Sequence, residues 1–360
     1  MGASKTSASV PQWPAARADQ WEATGEIAPD EWKLLVESTG PRTGLTGFAD
    51  AVQRLSDQGL GDGTLAAIAI DHICAHLMAS ASTGVTVLPH KRRALGVTEI
   101  SSGSNLAQIT SRITQDGKLH CHKAYISNAH VANSVLLLAV DERLPAGAEG
   151  GNLWRMTLLE VPADRLDIAA EAQPVFPAMA LCTVDSAGVQ VDSSWEIGSR
   201  GRALAYVQRG LVYERLVICV LSVALSTRLL ARVDDEFGVH GESRRGGFFA
   251  TGLRESSLHR HCLATFRARH VVVRAAVTDL VSRFDAEQRA DPGEVAAVKV
   301  DASQSVLDLA RWVQSLYGAQ GWSINPMENS ARWLTIAGGV NDMLLDDLVR
   351  HDQNRQGSSQ

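Results

Sequence analysis

The sequence predicts an α+β multidomain chain: a helical N-terminal part, an all-β middle and a helical bundle at the C-terminus. Three observations predict it. Apolar residues fall at helical spacing from Phe48 to about Ser82; short runs of β-type residues fill the stretch from Ala94 to about Gly198; long helical segments return from Ala203 onward. At 360 residues with 45 % apolar content, the chain is long enough to bury the core of two or three domains.

Taken in order, residues 1–28 are rich in Ala, Ser and Pro and read as a flexible tail leading into a helix around Trp32-Lys33-Leu34-Leu35. Residues 29–93 form the helical domain: Phe48, Val52 and Leu55, then Leu65, Ile68, Ile70, Ile73 and Leu77, mark two helices broken at Gly59-Leu60-Gly61-Asp62-Gly63. Residues 94–200 carry runs such as Val135–Val140 and Met156–Val161, the texture of strands. Residues 201–352 hold helical segments at 203–233, 256–287, 292–317 and 338–349, and residues 353–360 are a polar tail.

Composition removes several function classes. The formal charge is -6, with Lys and Arg scattered, so no basic surface for nucleic acid is expected. No run of eighteen uninterrupted apolar residues and no charged-then-apolar leader occur, so neither a membrane span nor secretion is expected. The five cysteines (Cys74, Cys121, Cys182, Cys219, Cys262) are widely spaced with no Cys-x-x-Cys pair, which predicts small core residues in a reduced cytoplasm. The eleven histidines, His259-Arg260-His261 included, show no metal-ligand spacing and read as surface or helix-face residues.

Two runs carry chemistry. Gly96-Val97-Thr98-Glu99-Ile100-Ser101-Ser102-Gly103-Ser104-Asn105 is a turn offering backbone amides and a hydroxyl in one concavity, the donors that a flavin pyrimidine edge and a pyrophosphate need. Lys123-Ala124-Tyr125-Ile126-Ser127-Asn128 places an aromatic ring and a hydroxyl two residues apart, on one face of a strand. For Thr98, Ser104 and Ser127 the alternative is turn capping or strand-edge hydroxyls bonded to backbone, and for Tyr125 a core aromatic.

The order of these motifs, with helices before them and a bundle after, resembles the flavin-dependent acyl-CoA dehydrogenases. In that family the first run reads roughly Thr-Glu-Pro-x-x-Gly-Ser-Asp, matched by Thr98, Glu99, Gly103 and Ser104 and departed from at Ile100 and Asn105. The second reads Lys-x-Trp-Ile-Thr/Ser-Asn, with Tyr125 in place of the tryptophan beside the flavin. Tyr317-Gly318-Ala319-Gln320-Gly321-Trp322 is similar to the family's Gly-Gly-x-Gly turn, and Arg245-Gly246-Gly247-Phe248-Phe249 to its adenine-side Arg-x-x-Phe-Gly. The resemblance implies a β-barrel-like middle domain, a four-helix bundle and FAD held by Val97, Thr98, Gly103, Ser104, Tyr125, Ser127, Arg245, Phe248, Gly318, Gly321 and Asp342. For Asp342 a helix cap is an equal alternative.

Family chemistry needs a base for the α-proton and a flavin N5 for the β-hydride. The usual glutamate of Tyr-Glu-Gly-Thr is missing here, where Ala337-Gly338-Gly339-Val340 stands. Isovaleryl and long-chain members instead carry the base as a Glu-Arg pair in the first long helix of the bundle, and Glu214-Arg215 matches it. Helical spacing puts Val217, Ile218, Leu221 and Leu225 on the face that Glu214 heads, so a raised pKa is expected. The alternative is a first-turn glutamate favoured by the helix dipole and paired with a basic neighbour. By resemblance, Gly338, Gly339 and Arg215 contact substrate, and a backbone amide near the glycines polarises its carbonyl.

The helical part ahead of Thr98 is about a helix shorter than the family's, which implies a wider acyl pocket suited to a bulky or carrier-tethered group, and one place for such chemistry is specialised secondary metabolism. Three functions follow from the resemblance: an FAD-dependent dehydrogenase of acyl-CoA or acyl-carrier-protein thioesters, a flavin monooxygenase or oxidase on the same fold, and a flavin-free partner subunit. The implied electron acceptor is electron-transfer flavoprotein or oxygen, and the implied assembly a homodimer or homotetramer.

Overall fold

The computed structural model describes residues 13–39, 44–81, 91–103, 105–146, 151–170, 179–237, 256–287, 289–318 and 326–357. The chain divides into two compact units, Met1–Tyr213 and Glu214–Gln360. The division falls within a long helix, so the helical and β parts that sequence texture separates are one unit.

The first unit opens with α1 (Ala15–Thr24), α2 (Pro29–Ser38), α3 (Leu45–Asp57) and α4 (Asp62–Ala81). Helix α1 corrects the reading of residues 1–28 as a loose tail. Trp21 is fully buried, Arg17 and Glu31 form a bidentate ion pair with both bonds at 2.7 Å, and Gly25 at φ 68 closes the helix. Bulk composition hid this because one buried indole, not an apolar stripe, anchors the helix. Helix α4 is apolar on every side, as a core helix must be. Its His72 is 2 % exposed and its Nε2 lies 2.6 Å from the Tyr213 hydroxyl, so of the two expected settings, surface or helix face, it takes a buried helix face.

Eight strands follow: β1 (Arg93–Gly96), β2 (Arg112–Ile113), β3 (Lys118–Ser127), β4 (Ser134–Asp141), β5 (Met156–Pro162), β6 (Asp167–Ala170), β7 (Leu181–Gln190) and β8 (Glu196–Ile197). They form one sheet in the order β6-β7-β3-β2-β4-β5-β8, with β1 parallel to β4. Strand β4 is buried along its whole length, which is why its sequence is a continuous apolar run without alternation. The core gathers Leu119, Ile126, Val135, Leu137, Leu159 and Val184. Arg93, 1 % exposed, ties α4 to the sheet through Asp71 at 3.3 Å and Glu160 at 3.2 Å.

The second unit takes up α5 (Ala203–Glu236) from Glu214 and continues with α6 (Ser257–Glu287), α7 (Pro292–Leu316), α8 (Pro326–Ile336) and α9 (Asn341–Gly357). Three long helices match the expected bundle, whereas α8 was hidden: Ala331 and Leu334 are its buried apolar residues, too few for a visible period. Helices α4 and α5 are long and apolar enough to cross a membrane by length and composition, and 78 % and 72 % of their qualifying windows are buried inside the protein. All five cysteines are free thiols; four are buried and Cys262 is half-buried.

Candidate active site

In the first unit the two sequence runs meet. The Ala124 amide donates to Thr98 O at 3.1 Å, and Lys123 Nζ donates to Val97 O at 3.3 Å and to Glu99 Oε1 at 2.8 Å. Glu99 also accepts from the amides and hydroxyls of Thr110 and Ser111, at 2.6–3.0 Å. Burial alone would raise its pKa, but Lys123 and these donors more than offset it and hold the carboxyl down at about 2. Glu99 is therefore a clamp fastening the turn to β3. Because its folded pKa lies below its ordinary value of 4.5, its contribution to stability is complete above about pH 4.5 and is lost as pH falls through about 2. Urea unfolding from pH 6 to 2 should show that loss, and Glu99→Gln should flatten it.

The clamp leaves Ile100, Ser101 and Gly103 facing outward. Gly103 adopts φ 52 and its amide donates to Glu99 O at 2.8 Å. Ile100 is exposed, and Asn105 accepts from the Ala107 amide at 3.1 Å, capping a short helical turn. Across from it, β3 slips by one residue against β7 between Lys123 and Ile126. Lys123 pairs with Val184 and Ile126 with Cys182, so β3 carries an extra residue. Without that bulge Tyr125 and Ser127 would share the inward face of Lys123; with it, Tyr125 turns out, 57 % exposed, and Ser127 is half-buried on the same side. Tyr125 is thus not a core aromatic. Its φ of 60 is costly for an aromatic residue, a strain that concentrates at functional sites.

These residues fit a flavin. Val97 and Thr98 are half-buried beside an outward aromatic, and Ser102 Oγ is buried with no hydrogen-bond partner among the described residues. Ser102 was not singled out by sequence, since a lone serine carries no periodic signal. Ser104, Arg245, Phe248 and Gly321 lie outside the described residues.

In the second unit Glu214 stands about three turns into α5, beyond the first turn where a helix dipole favours a carboxylate, so that alternative falls away. Val217, Ile218, Leu221 and Leu225 are buried on the face it heads, as the spacing predicts. Burial raises the Glu214 pKa; Arg215, Lys299 and the Gly338 amide act against that rise. The loop from α8 to α9 lies on this carboxylate. Gly338 and Gly339 adopt φ 67 and 108. A Cβ on Gly338 would stand 2.8 Å from Ile218 Cδ1 and 3.6 Å from Glu214 Cγ. The sequence-predicted Glu214, Arg215, Gly338 and Gly339 are therefore neighbours. Gly338→Ala should cost about 1–3 kcal/mol, from the left-handed backbone and the overpacked Ile218 together, measured by urea unfolding.

Both glycine carbonyls are captured by cations. Arg215 Nε donates to Gly338 O at 2.9 Å; Lys299 Nζ donates to Gly339 O at 2.8 Å and to Asn341 Oδ1 at 2.9 Å. Lys299 went unnoticed in the sequence although a signal exists: it interrupts the stripe of Val295, Ala302, Val306 and Leu309 at a position that helical spacing buries. The other two predicted positions lie elsewhere on the unit. Gly318, at φ 55, follows the α7 cap residue Tyr317 as a helix-terminating glycine, and Asp342 is exposed in the first turn of α9, where the dipole favours it.

Helices, a single sheet and a helical unit, whose first long helix sets the half-buried Glu214 against a glycine turn, make up the acyl-CoA dehydrogenase fold. Residues 201–351 match the family model "Acyl-CoA dehydrogenase, C-terminal domain". Butyryl-CoA dehydrogenase from Megasphaera elsdenii is similar with a TM-score of 0.79 and 15 % identity, over 94 % of this chain and 93 % of that one. Acyl-CoA dehydrogenase from Geobacillus kaustophilus is similar at 0.80 and 17 %, over 94 % and 93 %. The prolyl acyl carrier protein oxidase AnaB is similar at 0.76 and 16 %, over 94 % and 97 %. No curated protein matches by sequence. The expected fold class is borne out, and the match over residues 201–351 agrees with the expected family, whose members are FAD-dependent oxidoreductases acting on CH–CH bonds.

Proposed function

We propose that this chain catalyses FAD-dependent α,β-dehydrogenation of an acyl thioester, with Glu214 removing the α-proton. The supporting observation is a half-buried carboxylate that heads a buried apolar helix face and is set against Gly338, on a chain that lacks a glutamate at the glycine turn itself. Val97, Thr98, Ser102, Gly103, Tyr125 and Ser127 would hold the flavin, with Ser104 beside them in sequence. FAD, when bound, supplies the N5 that accepts the β-hydride. The raised pKa of Glu214 gives it the proton affinity that removal of a weak carbon acid's proton requires. Its rate should accordingly fall on the acid side at a pH above the ordinary carboxylate value of 4.5. A backbone amide near Gly338 and Gly339 would meet the thioester oxygen where it gains charge.

The resemblance in fold to an acyl carrier protein oxidase favours a second reading, in which a carrier-tethered thioester is oxidised with oxygen as acceptor. A reduced cytoplasmic setting and a homodimer or homotetramer belong to the same proposal. Visible spectra of the purified protein, titrated anaerobically with acyl-CoA and acyl-carrier-protein thioesters, test it. The expected result is a flavin spectrum bleached by a thioester. Peroxide formed on admitting air would assign the oxidase reading, and a colourless protein that takes up no FAD would overturn both.

A further inference from the structure

The second unit holds one fully buried lysine, and the proposed proton transfer gives it no role. Lys299 is 0 % exposed on α7, and burial pushes its ammonium down to about 8. A buried charge costs several kcal/mol unless its donors are met. Here its described hydrogen bonds go to Gly339 O and Asn341 Oδ1, both flanking the turn that touches Glu214, and Asn341 Nδ2 in turn donates to Ser303 Oγ on the same helix at 3.1 Å. The lysine thus bridges α7 to the α8–α9 turn, and Arg215 takes the preceding carbonyl. Two successive peptide carbonyls drawn onto cations fix two peptide planes. A Gly-Gly pair with positive φ at both residues would otherwise be soft backbone.

We propose that Lys299 is a positioning residue for the reaction: by holding Gly339 and Asn341 it sets the glycine turn against Glu214 and places a positive charge within reach of that carboxylate. This rests on the reading of Glu214 as the base. The groups facing Glu214 are Arg215 on its own helix, Lys299 on α7 and the Gly338 amide of the turn. Cys219, whose thiol burial pushes up to about 12, stays neutral beside Lys299, and Asp347 acts on Arg215. Removing Lys299 therefore removes a cation that lowers the Glu214 pKa.

The test uses the full chain loaded with FAD, as Lys299→Met, Lys299→Arg and Asn341→Ala. Amide hydrogen exchange is measured over residues 337–344, and the pH profile of thioester turnover is measured alongside. In Lys299→Met, exchange in the turn should rise at least tenfold with α5 and α7 still protected, and the acid limb should move to higher pH. Lys299→Arg should restore the limb, and Asn341→Ala should loosen the turn without moving it. Unchanged exchange in both Lys299→Met and Asn341→Ala would overturn the positioning role, as would an unmoved acid limb in an active Lys299→Met. If Lys299→Met does not fold, the Asn341→Ala exchange and the Lys299→Arg profile decide. A wild-type chain inactive on every thioester would sink the dehydrogenase reading alone, since exchange in the turn still reports on Lys299.

Discussion

Glu214→Gln should lower thioester-driven flavin bleaching by about 10²–10⁴-fold, the span that a positioned general base contributes. The substitution keeps the shape of the side chain and removes its proton affinity, so FAD absorbance and unfolding midpoint should stay at wild-type values. Glu214 sits in the interior of α5 above a buried apolar face and beside Gly338, where a neutral amide fits the same space. Stopped-flow bleaching of the oxidised-flavin absorbance is the measurement. Bleaching at the wild-type rate in Glu214→Gln would remove Glu214 from the mechanism and leave the fold assignment intact.

Glu99→Gln should destabilise the first unit by about 3–5 kcal/mol, the cost of leaving a buried charge without its partner. Lys123 and Glu99 are 0 % and 1 % exposed, so water cannot replace the lost carboxylate. Adding Lys123→Met should recover a large part of the loss, because an apolar side chain in that space removes the stranded charge. Urea unfolding of the two single variants and the double reads this directly; a loss below 1 kcal/mol in Glu99→Gln, on the scale of an exposed pair, would show that the clamp is not closed. FAD uptake should weaken in Glu99→Gln with or without Lys123→Met, since the turn that carries Ser102 and Gly103 is fastened through this carboxylate.

Much of the active-site inventory could be read before folding. The Thr98–Gly103 and Lys123–Ser127 runs, the Glu214-Arg215 pair and the Gly338-Gly339 turn are local strings, and the apolar face of α5 follows from a 3.6-residue period. Strand β4 and helix α4 were equally legible, as uninterrupted apolar runs of the lengths that strands and core helices take. Other features left no such trace. Helix α1 hangs on one indole, one ion pair and the hydrogen bonds that Glu22 accepts from Gly63 and Thr64, and α8 buries too few apolar residues to show a period. The bulge that turns Tyr125 outward is a one-residue mismatch between β3 and β7, visible only once both are paired.

What the sequence determined alone is therefore the order of helical and β segments, the strings that contact one another and the candidate base, because each depends on residues close together in the chain. Tertiary structure decided what those residues do. It made Glu99 a clamp by enclosing it with Lys123, it exposed Tyr125 through a register slip, and it brought Lys299 to a glycine turn forty residues further along the chain. Charges and dihedral angles are set by neighbours that only packing supplies: burial strengthens an ion pair or strands it, and a buried lysine gains its role from the carbonyls it reaches.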